Sequence, residues 1–302
     1  MAETDVDAEE KTRGSGRAAV RILGDLIAAG DQLRPGDVVS LDYVMEQSGG
    51  SRALAREVLQ VLQIKGLVTL QPRVGAKVQP VEQWNPFDPD VIEWRHQVAP
   101  RVQMDLLTQL REAVEPEAAR LAAQHPSADV CRDLISLSRR LKRLGLARDE
   151  FRDPGEAGGR HRERYRATDE DFHVVLLKGS GNDMFVALSA PVTKALNYRI
   201  ERAASGPAGK VRPAGPVSNF PEVPEEESLW LHLGLAHCVA QGLPEAAETF
   251  SRAILEEVRG GTRSRVRRYA IREALDEMDL AMLHEEDRDG FAAAISAIAG
   301  EI

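Results

Sequence analysis

A chain of 302 residues, 43% hydrophobic and 29% charged, can bury a sizeable core and is long enough for two domains. No apolar run approaches the roughly 20 residues of a membrane-spanning helix, and the acidic start MAETDVDAEE lacks the basic and apolar regions of a signal peptide; this excludes a membrane protein and points to the cytoplasm. The net charge of −9 conceals an asymmetry: residues 11–80 hold ten Lys/Arg against six Asp/Glu, or +4, as expected of a phosphate-binding module on an acidic body.

Residues 1–15, polar and acid-rich, read as a disordered tail. From Gly16 to Ala29 the apolar set Ala19, Val20, Ile22, Leu23, Leu26 and Ile27 predicts a helix that stops near Gly30. A second, short helix fits Ser40 to Gln47 with Ser40 as its N-cap, and Gly49-Gly50 makes the turn that follows. Between Ser51 and Lys65, Leu54, Val58, Val61 and Leu62 share one helical face, while Arg52, Arg56, Gln60 and Gln63 recur on the other. After Gly66, Leu67–Leu70 and Ala76–Val78 flank a tip carrying Arg73 and Gly75, which reads as a hairpin. An arginine-faced helix followed by a basic hairpin is the outline of a winged helix-turn-helix over 16–80. Periodicity alone equally allows an amphipathic helix packed beside an ordinary hairpin, with two solvated arginines.

The stretch Pro35-Gly36-Asp37, then Gly49-Gly50-Ser51-Arg52-Ala53-Leu54-Ala55-Arg56-Glu57-Val58-Leu59, then Gly66-Leu67-Val68 and Gly75-Ala76-Lys77-Val78 resembles the DNA-binding domain of GntR-type transcription regulators. The resemblance implies that Ser51, Arg52, Arg56 and Gly75 sit at double-stranded operator DNA, with Arg73 and Lys77 as their basic neighbours on the wing. At Ser40-Leu41-Asp42 the chain departs from the family, which has a Ser-Glu-Arg run; Asp42 stands near the place of that arginine.

Residues 81–100 form a proline-bounded linker, expected to be an ordered joint rather than a loose tether. Its WNPFDPDVIEW run resembles the joint in GntR-type regulators of sugar-acid catabolism, the galactonate type among them. From Arg101 onward the pattern predicts helices at 101–124, 127–146, 164–179, 182–204, 225–241, 244–259, 263–284 and 288–299, with poor order in two Gly/Pro-rich inserts, 147–162 and 205–224. The fold class is therefore mainly α: a winged helix-turn-helix, then an all-helical bundle over 101–260 with a helical extension at 261–302. Cys131 and Cys238 form no CxxC spacing and read as buried free thiols. No GxxxxGKS/T, GxGxxG, GxSxG or HExxH pattern is present.

Asp169 and His173 stand four apart, so a helix points carboxylate and imidazole the same way, and His232 follows about sixty residues later. Such donors converging on one point suit Zn, Ni or Mn, although a DxxxH pair by itself is more often a solvated or capping pair. Leu110–Ala123, Asp169–His173 with Gly181-Asn182, and His232 with Gly242 and Ala246-Ala247 resemble the effector-binding FCD domain of the FadR branch of GntR regulators. That resemblance implies a divalent metal held by Asp169, His173 and His232, and an effector carboxylate, from a small organic or sugar acid, held by Arg111, with Arg199 as a second candidate. The family's fourth ligand position falls at Ile254, which cannot ligate, and His237 is turned about 140° from His232 along a helix, so the site either keeps three ligands with a position left to water or effector, or is a relic that no longer binds metal. Arg111 has an alternative use, an ion pair with Glu115 on the next turn. His96, His125 and His161 read as surface residues.

Taken together, the expected protein is a homodimeric, DNA-binding transcription regulator, a repressor, controlled by an acid bound in its helical domain. Two other readings remain: a metal-dependent hydrolase using Asp169, His173 and His232, and a helical scaffold that binds DNA without sequence preference. The basic start and acidic end of 263–284 suit either a partner surface or a charged, solvated helix.

Overall fold

The computed structural model describes the backbone of residues 3–204, 223–258 and 265–299, and side chains over 16–196, 223–256 and 268–298. The chain divides into two compact units, Met1–Met104 and Asp105–Ile302. Among the described residues no helix is long and apolar enough to cross a membrane.

Unit 1 is built from α1 (Glu3–Ala29), β1 (Val38–Val39), α2 (Leu41–Ser48), α3 (Arg52–Ile64), β2 (Val68–Gln71), β3 (Gly75–Val78) and α4 (Pro89–Val98). Residues 3–15, expected to be disordered, continue α1. Five acids at its start favour that outcome, since negative charge complements the positive end of the helix dipole. The three strands form an antiparallel sheet in the order β1-β3-β2, with Val39 opposite Ala76 and Leu70 opposite Ala76 on the other side. β1 was not legible in sequence, because two residues carry no periodicity.

Leu23, Val44, Ala55, Val58, Leu62, Leu67 and Ala76 fill the core of this unit. Val61, expected to face it, is 37% exposed, and Leu59 is buried instead. At 100° per residue Val61 lies about 90° from the middle of the arc formed by Leu54, Ala55, Val58, Leu59 and Leu62. The stretch expected to be a linker belongs to the same core. Trp84 and Trp94 are buried in it, Trp84 Nε1 donates to Gln79 O at 3.1 Å, and Lys65 Nζ bonds both carboxylate oxygens of Asp88 at 2.9 Å. The ring of Trp94 lies so close to Gly24 that a Cβ there would come within 2.0 Å of it.

Unit 2 holds the body of α5 (Pro100–Gln124), then α6 (Ala128–Leu146), α7 (Arg148–Arg152), α8 (Glu156–Gly179), α9 (Asp183–Val186), α10 (Ser189–Ala204), α11 (Glu226–Gln241), α12 (Pro244–Val258), α13 (Arg265–Glu277) and α14 (Glu285–Ala299). α11 is buried continuously from Ser228 to Val239 and packs against α6, α12 and α14. A helix apolar around its whole circumference belongs in the middle of a bundle, and α11 occupies that place.

The insert 147–162 is ordered, against expectation. Phe151 is buried between the rings of His161 and Tyr165, Arg162 Nη1 donates to Phe151 O and Asp153 O at 2.8 Å each, and Asp153 accepts from Gly155 N and Gly158 N. His161, expected at the surface, is half-buried and bonded to Leu144 O at 2.9 Å. One aromatic anchor and a capping aspartate thus order a segment whose composition suggests a loop. Residues 205–222 of the second insert lie outside the described residues.

The extension after residue 260 is part of the bundle rather than a solvated appendage. Ile271, Ala274, Phe291 and Ile295 lie in the same core as α11, and Phe291 stacks on Phe250 at 6.3 Å. Asp287 of α14, 2% exposed, is paired with Lys142 and with Arg139 Nε at 3.0 Å, both on α6. Both cysteines are free, and burial pushes the Cys238 thiol well above its ordinary pKa. Phe291→Ala is expected to cost about 3–5 kcal/mol in urea denaturation, because it removes a fully buried ring; a loss under about 1 kcal/mol would show the extension to be a loosely attached element.

Candidate functional site

Two groups of polar side chains stand apart from the ordinary surface, one in each unit. The first lies on α3 and the hairpin. Ser51 accepts from Leu54 N at 3.2 Å and so caps α3, after Gly49 has turned the chain with a φ of 61°. Arg52 and Arg56 emerge one turn apart on the exposed face, as the spacing predicts. With Asp42, Gln60, Arg73 and Gly75 they line a cleft of about 660 Å³ between α3 and the hairpin tip.

At that tip Val74 N donates to Gln71 O at 3.2 Å, Pro72 takes the second corner position and Arg73 the third, with a φ of 65°. The third position of such a turn calls for a positive φ, which glycine adopts freely and a side chain adopts at a cost of about 1 kcal/mol. An arginine is held there regardless, with its side chain exposed. Gly75 has an internal reason to be glycine: its φ is 127°, and a Cβ would lie 2.4 Å from Val39 O across the β1–β3 ladder. Lys77 is exposed on β3. Asp42 sits in the first turn of α2, with Oδ1 3.7 Å from Arg52 Nη2; both side chains are mostly exposed, so the pair adds little to stability.

The second group is buried in unit 2, where α5, α8 and α11 supply one or two members each. Arg111 and Glu115 of α5 are 2% and 1% exposed. Arg111 Nε donates to Glu115 Oε1 at 2.6 Å and Nη2 to Oε2 at 3.2 Å, a bidentate pair. Glu115 Oε2 also lies 2.9 Å from His173 Nδ1, and Arg111 Nη2 lies against the same ring, 3.2 Å from Nε2 and 3.5 Å from Nδ1. On α8, Asp169 Oδ1 faces His173 Nε2 at 3.8 Å and His232 Nε2 at 3.5 Å. The far side of the His232 ring is fixed by Ser228 O, 2.7 Å from Nδ1. Phe172 presses edge-on against both imidazoles, with ring centroids 5.6 and 5.0 Å apart.

Burial alone pushes the Glu115 carboxyl up, but the charges of Arg111 and His173 and the hydrogen bonds they donate hold it far below the usual carboxylate range. Glu115 is therefore an anion inside the protein. Asp169, His173 and His232 bring one ligand atom each to within 4.8 Å of one another, the grouping the helical spacing and the resemblance anticipate. Two atoms that each sit about 2.1 Å from one ion are at most about 4.2 Å apart, so both Asp169–histidine distances fit a shared cation. These three residues would hold it, and it would supply a Lewis-acidic positive charge in the interior.

Ile254 is 2% exposed within the apolar core. His237 points elsewhere: burial lowers its pKa, and the charges acting on it are Asp287, which raises it, and Arg139, which lowers it. The side chain of Arg199 lies outside the described residues. Sequence reasoning sees Glu115 only as an alternative partner for Arg111, and misses that it also orients His173. The available signal was the i, i+4 spacing of Arg111 and Glu115 on a helix whose other positions are mostly apolar.

Residues 16–78 match the gntR family of bacterial regulatory proteins, and residues 106–257 match the FCD domain. The chain is 26% identical over 186 residues to the galactonate operon transcriptional repressor of Escherichia coli K12, covering 61% of this chain and 75% of that protein. It is 28% identical over 166 residues to the HTH-type transcriptional regulator YieP of the same organism, covering 53% of this chain and 65% of that one. Among solved structures it is similar to Streptococcus agalactiae GntR, with a TM-score of 0.42 and 17% identity over 82% of this chain and 100% of that one.

Arg73→Gly is expected to leave stability unchanged within about 1 kcal/mol, because the relieved backbone strain is offset by the freer unfolded chain. The same substitution should weaken binding to duplex DNA and lower the salt slope by about 1, as loss of a phosphate contact does; an unaltered salt slope would show that the guanidinium meets no phosphate. In unit 2, Arg111→Ala should cost about 3–5 kcal/mol in urea denaturation, since it leaves Glu115 charged and buried without its partner.

Proposed function

The chain belongs to the gntR family of bacterial regulatory proteins and carries an FCD domain, so it is a transcription regulator and not an enzyme; from that premise we propose that it is a homodimeric repressor whose grip on operator DNA is set by a small organic or sugar acid. Membership of the family removes the hydrolase reading of Asp169, His173 and His232. It also gives the exposed face of α3 a purpose.

The observation that carries the DNA half is the joint placement of Arg52, Arg56 and Arg73 around one cleft, with the α3 backbone fixed by the Ser51 cap. The exposed edge of α3 is of a width to enter a major groove, where arginine addresses guanine O6 and N7, and the hairpin reaches the flanking phosphates. Lys77 adds positive charge beside Arg73. A dimer would set two such helices on one face of a palindromic site. The domain roles follow: 16–80 reads DNA, 81–98 completes the core of that unit, 101–260 binds effector and partner, and 265–299 packs into the helical core. A regulator of bacterial transcription works in the cytoplasm, where the chromosome is.

The observation that carries the effector half is a buried arginine beside three metal-type donors. Arg111 is a buried guanidinium paired with Glu115, and a divalent metal such as Zn, Ni or Mn on Asp169, His173 and His232 would give an effector carboxylate a positive centre beside it. The likeness to the galactonate repressor supports a sugar acid as ligand. Effector binding acts by favouring one of two dimer arrangements, only one of which spans the operator.

In a gel shift with the protein's own promoter DNA, Arg52→Ala and Arg56→Ala should each abolish the specific complex while leaving the fold intact by circular dichroism. Unchanged affinity in both would overturn the assignment of α3 as the reading helix. A thermal-shift screen of aldonic, uronic and short organic acids should find one that raises the melting temperature by mass action.

A further inference from the structure

Among the described residues, the cleft between α3 and the hairpin is lined by three arginines, Arg52, Arg56 and Arg73, and by a single carboxylate, Asp42. A surface built only to hold a polyanion gains nothing from an acid, because phosphate oxygens are repelled by it. The fold nevertheless fixes Asp42 there. Ser40 caps α2 by accepting from Tyr43 N at 3.1 Å, Val44 is buried in the core, and Gly75 passes so close that a Cβ on it would lie 3.3 Å from Ser40 Cα. The first turn of α2 is held against both the core and the hairpin, and Asp42 belongs to that turn.

Asp42 Oδ1 lies 3.7 Å from Arg52 Nη2. In the free protein the Arg52 and Asp42 side chains are 63% and 83% exposed, and water screens the pair. A duplex covering the cleft changes the balance. Water leaves, the effective dielectric constant falls, and a carboxylate that faces a polyanion is tolerable only against a cation. The Arg52 guanidinium is the cation beside it. An acid on one side of Nη2 leaves another edge of the planar fork free, with two parallel donors, the arrangement that guanine O6 and N7 accept in the major groove. The same acid repels phosphate from the guanidinium it holds.

We propose that Asp42 is a positioning residue of the DNA interface: it holds the Arg52 guanidinium on a guanine of the operator and away from the backbone phosphates. The acid thereby lowers affinity for DNA in general and raises the ratio between operator and random sequence. This rests on the reading of α3 as the helix that enters the major groove.

The test uses the full chain and a library of duplexes with a randomised segment, from which the wild type selects its preferred sequence. Each base pair of that sequence is then replaced in turn and the affinity measured. Arg52→Lys keeps the charge but not the fork, and should lose a discrimination of about tenfold or more at one G·C pair. Asp42→Asn, nearly the same in shape, should cut the discrimination at that same pair to under about threefold and leave the other pairs unchanged. Its affinity for random duplex should rise and its salt slope steepen by about 1, as a gained phosphate contact does. Replacing that guanine by 7-deazaguanine removes the N7 acceptor; it should weaken wild-type binding about tenfold and Asp42→Asn binding by under about threefold, a difference that a merely structural aspartate does not produce. An Asp42→Asn variant that loses discrimination at a different pair, or at none, or that weakens operator and random duplex alike, overturns the positioning role and leaves α3 as the reading helix. A wild type that selects no sequence, or an Arg52→Lys variant that discriminates as the wild type does at every pair, overturns base reading by Arg52 itself, and the role of Asp42 with it.

Discussion

A carboxylate that is 1% exposed cannot remain charged without a cation beside it, and the whole site in unit 2 is arranged around that constraint. Glu115 and Arg111 satisfy it in part by pairing along one turn of α5. Glu115 then spends its remaining acceptor capacity on His173 Nδ1, across the boundary between α5 and α8. One ion pair thereby orients a second helix's imidazole, and Phe172 closes the apolar side of both histidines.

Unit 1 solves the opposite problem, that of keeping charge outside. α3 buries Leu54, Ala55, Val58, Leu59 and Leu62 and leaves Arg52 and Arg56 in solvent, so its packing face and its charged face are two sides of one helix. The hairpin is locked to β1 by the close approach of Gly75 to Val39 O, and this fixes where Arg73 is presented. Asp42, which faces Arg52 across 3.7 Å, places a negative charge on an otherwise basic rim. A carboxylate in such a place repels phosphate and can accept from exocyclic amines such as that of cytosine.

The C-terminal part of the chain shows how packing overrides composition. Residues 265–299 follow the segment matched by the FCD domain, yet Phe291, Ile271 and Ile295 share its core, and Asp287 is buried against Lys142 and Arg139. Phe151 does the same for the first insert, where glycine and charge suggested a loop. Both cases depend on one or two large side chains finding a partner far away in sequence. No local pattern encodes that.

Helical periodicity and capping chemistry are written in consecutive residues, so the sequence by itself determined most of the long helices, the Ser40 cap, the exposed arginine face of α3 and the pairing of Asp169 with His173 one turn on, but not α4, α7 or the first turns of α1 and α8. Motif order determined the family. Only the tertiary structure decided that Val61 lies outside the buried arc, that residues 81–98 complete the first core, that two-residue β1 joins the sheet, and that Glu115 addresses His173. Each of these depends on contacts between segments distant in the chain, where burial and unpaired charge set the free energy, and neither is a property of any short stretch of sequence.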